Sequence, residues 1–163
     1  MSIIATPLTT LVEQGVSVPG WLLRAQAEAE RVQEWVEATR RAVCVYCGEQ
    51  AEHEDHLVPR HLSGEEWRKA VPTVPACADC NQLLSDLYME TIGERSAYVA
   101  RQLRRKHKAL AAPCRNCPDP EELDGTLRSY VEARQALRTV IRSRLALLGL
   151  GGAVEADPSA TLD

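Results

Sequence analysis

The chain has 163 residues, a net charge of −4 and no Phe, and only 4% of its residues are aromatic. A chain of this length is expected to form one domain, or a small core with helical extensions, since domains commonly contain about 100–150 residues. A core of Leu, Val and Ala with so few large rings would benefit from a metal that links its parts. The negative charge argues against a nucleic-acid partner unless the basic residues are clustered, because phosphate binding draws on grouped Lys and Arg.

The sequence predicts a soluble, cytoplasmic protein with no membrane partner. The first residues of the chain lack the basic region and the long apolar run of a signal peptide. No stretch approaches the roughly 20 apolar residues that cross a bilayer. In a reducing cytosol, the six cysteines are expected to be metal ligands and free thiols rather than disulfides.

Residues 1–19 are expected to be irregular, because proline and glycine interrupt any pattern. A helix is predicted over residues 21–41, where apolar residues recur at helical spacing. Short extended segments are predicted at 51–57 and 71–76. Between them, the sequence S-G-E-E fits a capping box that predicts a brief helix over residues 64–70.

Three helices are predicted in the rest of the chain. The first carries Asn81 in its first turn. The second opens with a capping box at Thr91 and ends near Ala112, before a proline. The third starts at Asp119, with a proline at its first position, and continues to Gly149. The last two are expected to form an antiparallel hairpin.

Basic residues are concentrated between Arg95 and Lys108, a segment without an acidic residue. On a helix, four of them share one side: Arg101, Arg104, Arg105 and Lys108. This side is either an ordinary solvated helix face or a stripe that binds phosphates.

Four cysteines form two CxxC pairs, Cys44 with Cys47 and Cys77 with Cys80. A CxxC turn can direct both thiolates at one ion at about 2.3 Å, and a tetrahedral zinc takes two ligands from each of two such turns. The spacing therefore predicts a structural Zn2+ clamp.

The clamp encloses polar residues suited to a second metal and to acid–base chemistry. Asp55 and His56 are adjacent between the two pairs, and Asn81 directly follows the second pair. Carboxylate and amide oxygens suit a hard divalent cation, and imidazole is a common general base. His53 would share the side of a strand with Asp55, either near the metal or exposed to solvent.

The motifs C-V-Y-C-G at 44–48, D-H-L-V-P-R at 55–60 and V-P-A-C-A-D-C-N at 74–81 resemble the zinc-stabilised form of the HNH endonuclease family. The similarity covers residues 43–86, about a quarter of the chain. It implies an α+β, mainly helical protein with a small, treble-clef-like ββα-metal core. Small free-standing proteins similar to this one are common in phages.

The resemblance implies a metal-dependent DNA endonuclease or nickase. Asp55 and Asn81 would hold Mg2+ or Mn2+, His56 would be the general base that activates water, and Arg60 would contact a phosphate. Phage relatives can assist genome packaging, so a terminase is an expected partner besides DNA.

The chain departs from the family pattern at one position. The middle Asn, which supports the active-site loop and orients the catalytic His, should fall near Pro72 or Thr73. The hydroxyl of Thr73 could take part of that role. The final position is Asn81, where many relatives have His. The missing Asn and the acidic charge favour an alternative, a non-catalytic zinc module that binds DNA or a protein. A third class is a purely structural interaction protein built on the helices.

A third CxxC pair, Cys114 with Cys117, cannot complete a tetrahedral site alone. It would be a pair of free thiols, a redox-sensitive disulfide or half of another metal site.

The predicted organisation has four parts. Residues 1–42 form an irregular segment and a helix, residues 43–90 the HNH-like module, residues 91–149 a helical hairpin packed on it, and residues 150–163 a mobile tail.

Overall fold

The computed structural model describes residues 8–40, 42–112 and 116–149 together with Gly152. Its elements, in chain order, are α1 (Leu8–Glu13), α2 (Gly20–Thr39), β1 (His53–His56), α3 (Gly64–Trp67), β2 (Thr73–Ala76), α4 (Ala78–Leu84), α5 (Ile92–Lys106), α6 (Lys108–Ala111), a 3-10 turn (Pro120–Glu122) and α7 (Gly125–Gly149). The protein is therefore mainly helical with one small sheet, as the sequence predicts. None of the helices within these residues has the length and apolar character needed to cross a membrane.

The two strands pair antiparallel and give the sheet one buried and one partly exposed face. Asp55 is opposite Val74, and His56 is opposite Thr73. Because side chains alternate along a strand, Asp55 and Val74 point into the core while His56 and Thr73 are on the other face. The register therefore places the two neighbouring candidate residues Asp55 and His56 on opposite sides of the sheet.

One apolar core joins the helices to the cysteine-bearing segments. It includes Val32 of α2, Leu84 of α4, Val99 and Leu103 of α5, and Leu148 near the end of α7, all buried. The first two helices of the C-terminal part, α5 and α6, both pack along α7. The sheet contacts α2 through β2 and α4 through β1.

Several predictions of local structure are confirmed. The helix predicted over residues 21–41 is α2, and both extended segments contain a strand. At the start of α5, Thr91 accepts a hydrogen bond from the backbone N–H of Glu94, whose side chain accepts from the Thr91 N–H. This reciprocal pair satisfies two backbone donors that a helix start otherwise leaves unpaired.

Two predictions are wrong in the first half of the chain, the irregular segment at 1–19 and the capping box at Ser63. Residues 1–19 are not wholly irregular, because α1 forms where Leu8 is buried, and the helix ends before Gly15, whose φ is +78°. The capping box at Ser63 does not form. Its backbone is in the helical region, with φ −77° and ψ −14°, and its hydroxyl donates instead to the carbonyl of Arg60 at 2.8 Å.

The long helices predicted in the C-terminal part are interrupted. The helix predicted to end near Ala112 breaks at His107, whose φ of −113° leaves helical geometry, and α6 follows. Asp119 caps only a 3-10 turn, accepting from the Glu121 N–H at 3.0 Å. The long helix starts only at Gly125, whose left-handed φ of +57° turns the chain between the 3-10 turn and α7. The predicted tail lies outside the described residues apart from Gly152, which is buried.

Position 48, directly after Cys47, requires a glycine for two reasons, its left-handed backbone conformation and the lack of space for a Cβ. Gly48 has a φ of +75°, and a Cβ built there would lie 2.6 Å from Cδ1 of Leu147 on α7. Gly64 has a similar φ of +68° with nothing within 4 Å of its Cβ position.

We expect Gly64→Ala to lower the free energy of unfolding by about 1–2 kcal/mol, the cost of a left-handed conformation for a residue with a Cβ. Gly48→Ala should cost more, because it adds a collision with Leu147. Chemical denaturation of both variants measures the difference. Equal losses would show that α7 yields to the added methyl group.

Candidate functional site

The four cysteines of the two CxxC pairs come together in one buried cluster. The sulfur atoms of Cys44, Cys47, Cys77 and Cys80 all lie within 4.8 Å of one another. The sulfurs of Cys47 and Cys77, from different pairs, are 3.7 Å apart. The sequence prediction of a four-cysteine clamp is confirmed as a group that could hold a metal ion such as zinc.

Backbone hydrogen bonds shape each half of the cluster. In the first pair, the Gly48 N–H donates to the carbonyl of Cys44 at 2.9 Å, and a β-bridge between Val43 and Gln50 closes the turn behind it. In the second pair, Cys77 is the N-cap of α4 and Cys80 is in its first turn. A turn closed by an i+4 to i hydrogen bond and a helix start thus each direct two thiols toward a common point.

The four thiols share protons when no cation neutralises them. Hydrogen bonds with neighbouring thiols raise the pKa values of Cys44 and Cys80 and lower those of Cys47 and Cys77. Four adjacent thiolates would repel one another, and a bound divalent cation removes that repulsion while releasing the remaining protons. The donor set of four sulfurs fits Zn2+ in tetrahedral coordination.

Arg144 of α7 lies beside the cluster, and no sequence motif indicated it. Its guanidinium donates to the sulfur of Cys77 at 3.7 Å and to the carboxylate of Asp79 at 3.2 Å. Burial would lower the pKa of Arg144. The charge of Cys47 and the hydrogen bond from Arg144 to Asp79 outweigh burial and raise that pKa. The arginine thus places a permanent positive charge next to sulfur atoms that become negative when they bind a metal.

A second buried polar group lies on the inner face of the sheet. The guanidinium of Arg95 and the carboxylate of Asp55 are 2.6 Å apart, and these residues are 0% and 2% exposed. The hydroxyl of Tyr46 donates to the same carboxylate oxygen at 2.5 Å and accepts from Nε of Arg95 at 3.0 Å. Arg95 also donates to the carbonyl of Leu57 at 3.2 Å. Asp55 is therefore engaged within the protein.

The electrostatics of this trio are self-consistent. Burial raises the pKa of Tyr46 well above its usual value, so the phenol keeps its proton and donates it. Burial alone would lower the pKa of Arg95, but the negative charge of Asp55 and the hydrogen bond to it outweigh burial and raise the pKa. A basic residue of α5 is thus part of the core rather than of a solvated helix face.

His56 is on the outer face of the sheet and is partly exposed. Nε of Arg60 donates to its Nε2 at 3.0 Å, so this nitrogen is an acceptor. Burial and the nearby charge of Arg60 lower the pKa of His56. The imidazole is therefore neutral near pH 7, and it lies next to the arginine that was predicted to contact a phosphate.

The remaining residues of the predicted site surround this strand. Asn81 is partly exposed on α4, the helix that packs against β1. Thr73 faces His56 across the sheet, but its hydroxyl donates to Glu54 at 3.2 Å. His53 is exposed at the start of β1. The proposed roles of these residues stay predictions.

One member of the third cysteine pair, Cys117, is described, and it is exposed and not part of the four-cysteine cluster. Cys117 is disulfide-bonded. Cys114 lies outside the described residues. The basic side of α5 is largely solvated: Arg104 and Arg105 are exposed, and the Arg101 guanidinium is 5.8 Å from the centre of the Tyr98 ring.

Comparisons of the chain with protein-family models, with characterised proteins and with solved structures found no match. The likeness to HNH enzymes therefore stands on the three motifs alone.

We expect elemental analysis of the purified protein to find one zinc per chain. Cys80→Ser should remove it, because three thiolates and a hydroxyl bind zinc far less tightly, and much of the core near α4 should unfold. Metal content and circular dichroism measure both effects. Full zinc occupancy of the variant would contradict the assignment of these four ligands, whereas two zinc ions in the unmodified chain would indicate a further site that uses Cys114 and Cys117.

We expect Asp55→Ala to lower the free energy of unfolding by about 3–5 kcal/mol, because Arg95 would remain buried and charged without its partner. The double variant Asp55→Ala with Arg95→Met should lose less than the single one. Asp86→Ala, at a carboxylate that is 86% exposed, is the matched control. If Asp55→Ala were as stable as the control, the carboxylate would be dispensable to the core.

Proposed function

We propose that the protein is a zinc-stabilised, metal-dependent DNA endonuclease or nickase of the HNH type. The observation that supports this most is the arrangement of β1, β2 and α4, in which two antiparallel strands and a helix packed against β1 are joined to a four-cysteine cluster. This arrangement supports the ββα core that the family resemblance implies. His56 is on the strand that contacts the helix carrying Asn81.

The proposed chemistry uses residues on the outer face of the sheet. When Arg60 turns from Nε2 of His56 to the phosphate, the neutral imidazole takes a proton from the attacking water at that nitrogen. General base catalysis of this kind raises the rate by about 10²–10⁴-fold. Arg60, 3.0 Å from His56, binds the phosphate through a charged hydrogen bond. The base and the phosphate contact thus lie together on one side of β1.

A catalytic Mg2+ or Mn2+ would polarise the phosphate and stabilise the leaving oxygen. Asn81 is the proposed ligand that fits, because its amide is partly exposed on α4. Asp55 fits less well, because it faces the core and its carboxylate is bound by Arg95 and Tyr46. Binding a cation there would require that ion pair to open.

The proposed macromolecular partner is DNA, and the proposed location is the cytoplasm. The exposed arginines of α5, Arg104 and Arg105, offer a sequence-independent contact to the phosphate backbone. By resemblance to phage proteins, a packaging terminase is a further proposed partner.

A second candidate is a zinc module that binds DNA or a protein without cutting. It is favoured by two contacts: Asp55 is held in the core by Arg95, and the hydroxyl of Thr73 is directed at Glu54 instead of supporting His56. In a catalytic site, Asp55 would bind the metal and Thr73 would support His56, but each of them has another partner.

We expect the protein to nick supercoiled plasmid DNA in Mg2+ or Mn2+, and His56→Ala to reduce the rate by about 100-fold or more through loss of the base. His53→Ala, at an exposed histidine of the same strand, should cut like the unmodified protein. Zinc content and circular dichroism of each variant show whether the fold is kept.

Undiminished cutting by His56→Ala would exclude this histidine as the base. DNA binding without cutting by the zinc-loaded protein would favour the non-catalytic module.

A further inference from the structure

A cavity of about 330 Å3 borders the four-cysteine cluster. Its walls come from three parts of the chain, the turn after the first CxxC pair, the start of α4 and the C-terminal half of α7. They include Glu49, Glu52, Cys77, Ala78, Asp79 and Arg144. Because Glu52 and Ala78 are exposed, the cavity opens to solvent. It therefore connects the surface of the protein with the side of the cluster at Cys77.

Cys77 is also the most exposed cysteine of the cluster. It is 8% exposed, whereas Cys44 and Cys80 are 0% exposed and Cys47 is 1% exposed. A metal site that is closed by packing on its other sides needs an entry path for the ion. The sulfur that borders solvent is the one that an ion meets along such a path.

The charges in the walls of the cavity favour the approach of a cation. Glu49, Glu52 and Asp79 are three acids, and Arg144 is the one base among the wall residues named above. Asp79 is already paired, with Arg144 at 3.2 Å and with Lys106 at 3.3 Å. Glu49 and Glu52 add two further carboxylates, and acids that line an opening raise the local concentration of cations.

Arg144 separates these carboxylates from the sulfur atoms. Its guanidinium donates to Asp79 on one side and to the sulfur of Cys77 on the other. Nε of the same side chain is buried and has no hydrogen-bond partner among the described residues. An unpaired buried donor is unfavourable, and sulfur atoms that become negative on binding a metal are the acceptors that this donor lacks. The inner end of the cavity therefore suits a cluster that is loaded with a metal ion.

We propose that this cavity is the path between solvent and the four-cysteine cluster for the zinc ion, with Cys77 as the ligand at its inner end. The carboxylates in the walls attract the cation, and the sulfur of Cys77 exchanges bonds with it. Each ion that enters displaces the protons that the four thiols still hold. The proposal rests on zinc binding by the cluster and does not depend on nuclease activity.

Exchange of bound zinc tests the path in the zinc-loaded full chain. Isotopically enriched zinc is added, and mass spectrometry follows its incorporation. We expect Ala78→Trp, which places a large side chain in the opening, to slow the exchange about tenfold or more. The equilibrium affinity for zinc, measured by competition with a chelator, should not change, because no ligand is altered. Gln82→Trp, at an exposed position of the same helix outside the cavity, is the matched control and should exchange like the unmodified protein.

Alkylation identifies the sulfur at the inner end of the path. In the zinc-loaded protein, Cys77 should displace iodide from iodoacetamide before the other three cysteines of the cluster do, as peptide mapping by mass spectrometry would show. Earlier reaction of Cys44, Cys47 or Cys80 would overturn the proposal. Exchange by Ala78→Trp as fast as in the unmodified protein, or faster, would overturn it as well. Absence of bound zinc from the purified protein would overturn the assignment of the cluster together with the path.

Discussion

The positions of four sulfur atoms constrain the rest of this structure. They lie within 4.8 Å of one another and come from two segments separated by the sheet strands. Such a group is stable only if the thiols share protons or bind a cation, because thiolates repel one another. Bringing the two CxxC turns together fixes the start of α4 and the start of the loop leading to β1, and so determines where Asn81 and His56 lie. Arg144 makes α7 part of the same unit through its contacts with Cys77 and Asp79.

The buried trio of Arg95, Asp55 and Tyr46 is the second connection, and it joins α5 to the sheet. A buried ion pair seldom adds much net stability, since desolvation offsets the attraction, but breaking one partner away is costly. The trio therefore favours one arrangement of α5 against β1 more than it stabilises the fold as a whole. It also bears on function, because the carboxylate that would hold a catalytic cation is the one that pairs with Arg95.

The sequence predicted the parts of this structure that depend on local patterns. The cysteine spacing predicted the cluster, and helical periodicity and the capping box at Thr91 predicted α2 and the start of α5. What it could not predict depends on distant partners. Arg95 begins the basic segment of the sequence, and nothing local shows that it meets Asp55, forty positions away in the chain. The roles of Arg144 and Gly48 likewise follow from contacts with other elements, Cys77 for the first and α7 for the second. The break at Gly125 was missed because a glycine within a polar stretch is compatible with a helix or a turn.

The helix α7 borders the metal cluster through two residues near its C-terminal end. Arg144 donates to the sulfur of Cys77, and Leu147 lies 2.6 Å from the position that a Cβ on Gly48 would take. The same helix therefore borders both halves of the cluster, the second half at Cys77 and the first half at the turn that follows Cys47. Because α5 and α6 also pack along α7, the position of that helix links the cysteine cluster to the rest of the C-terminal part of the chain.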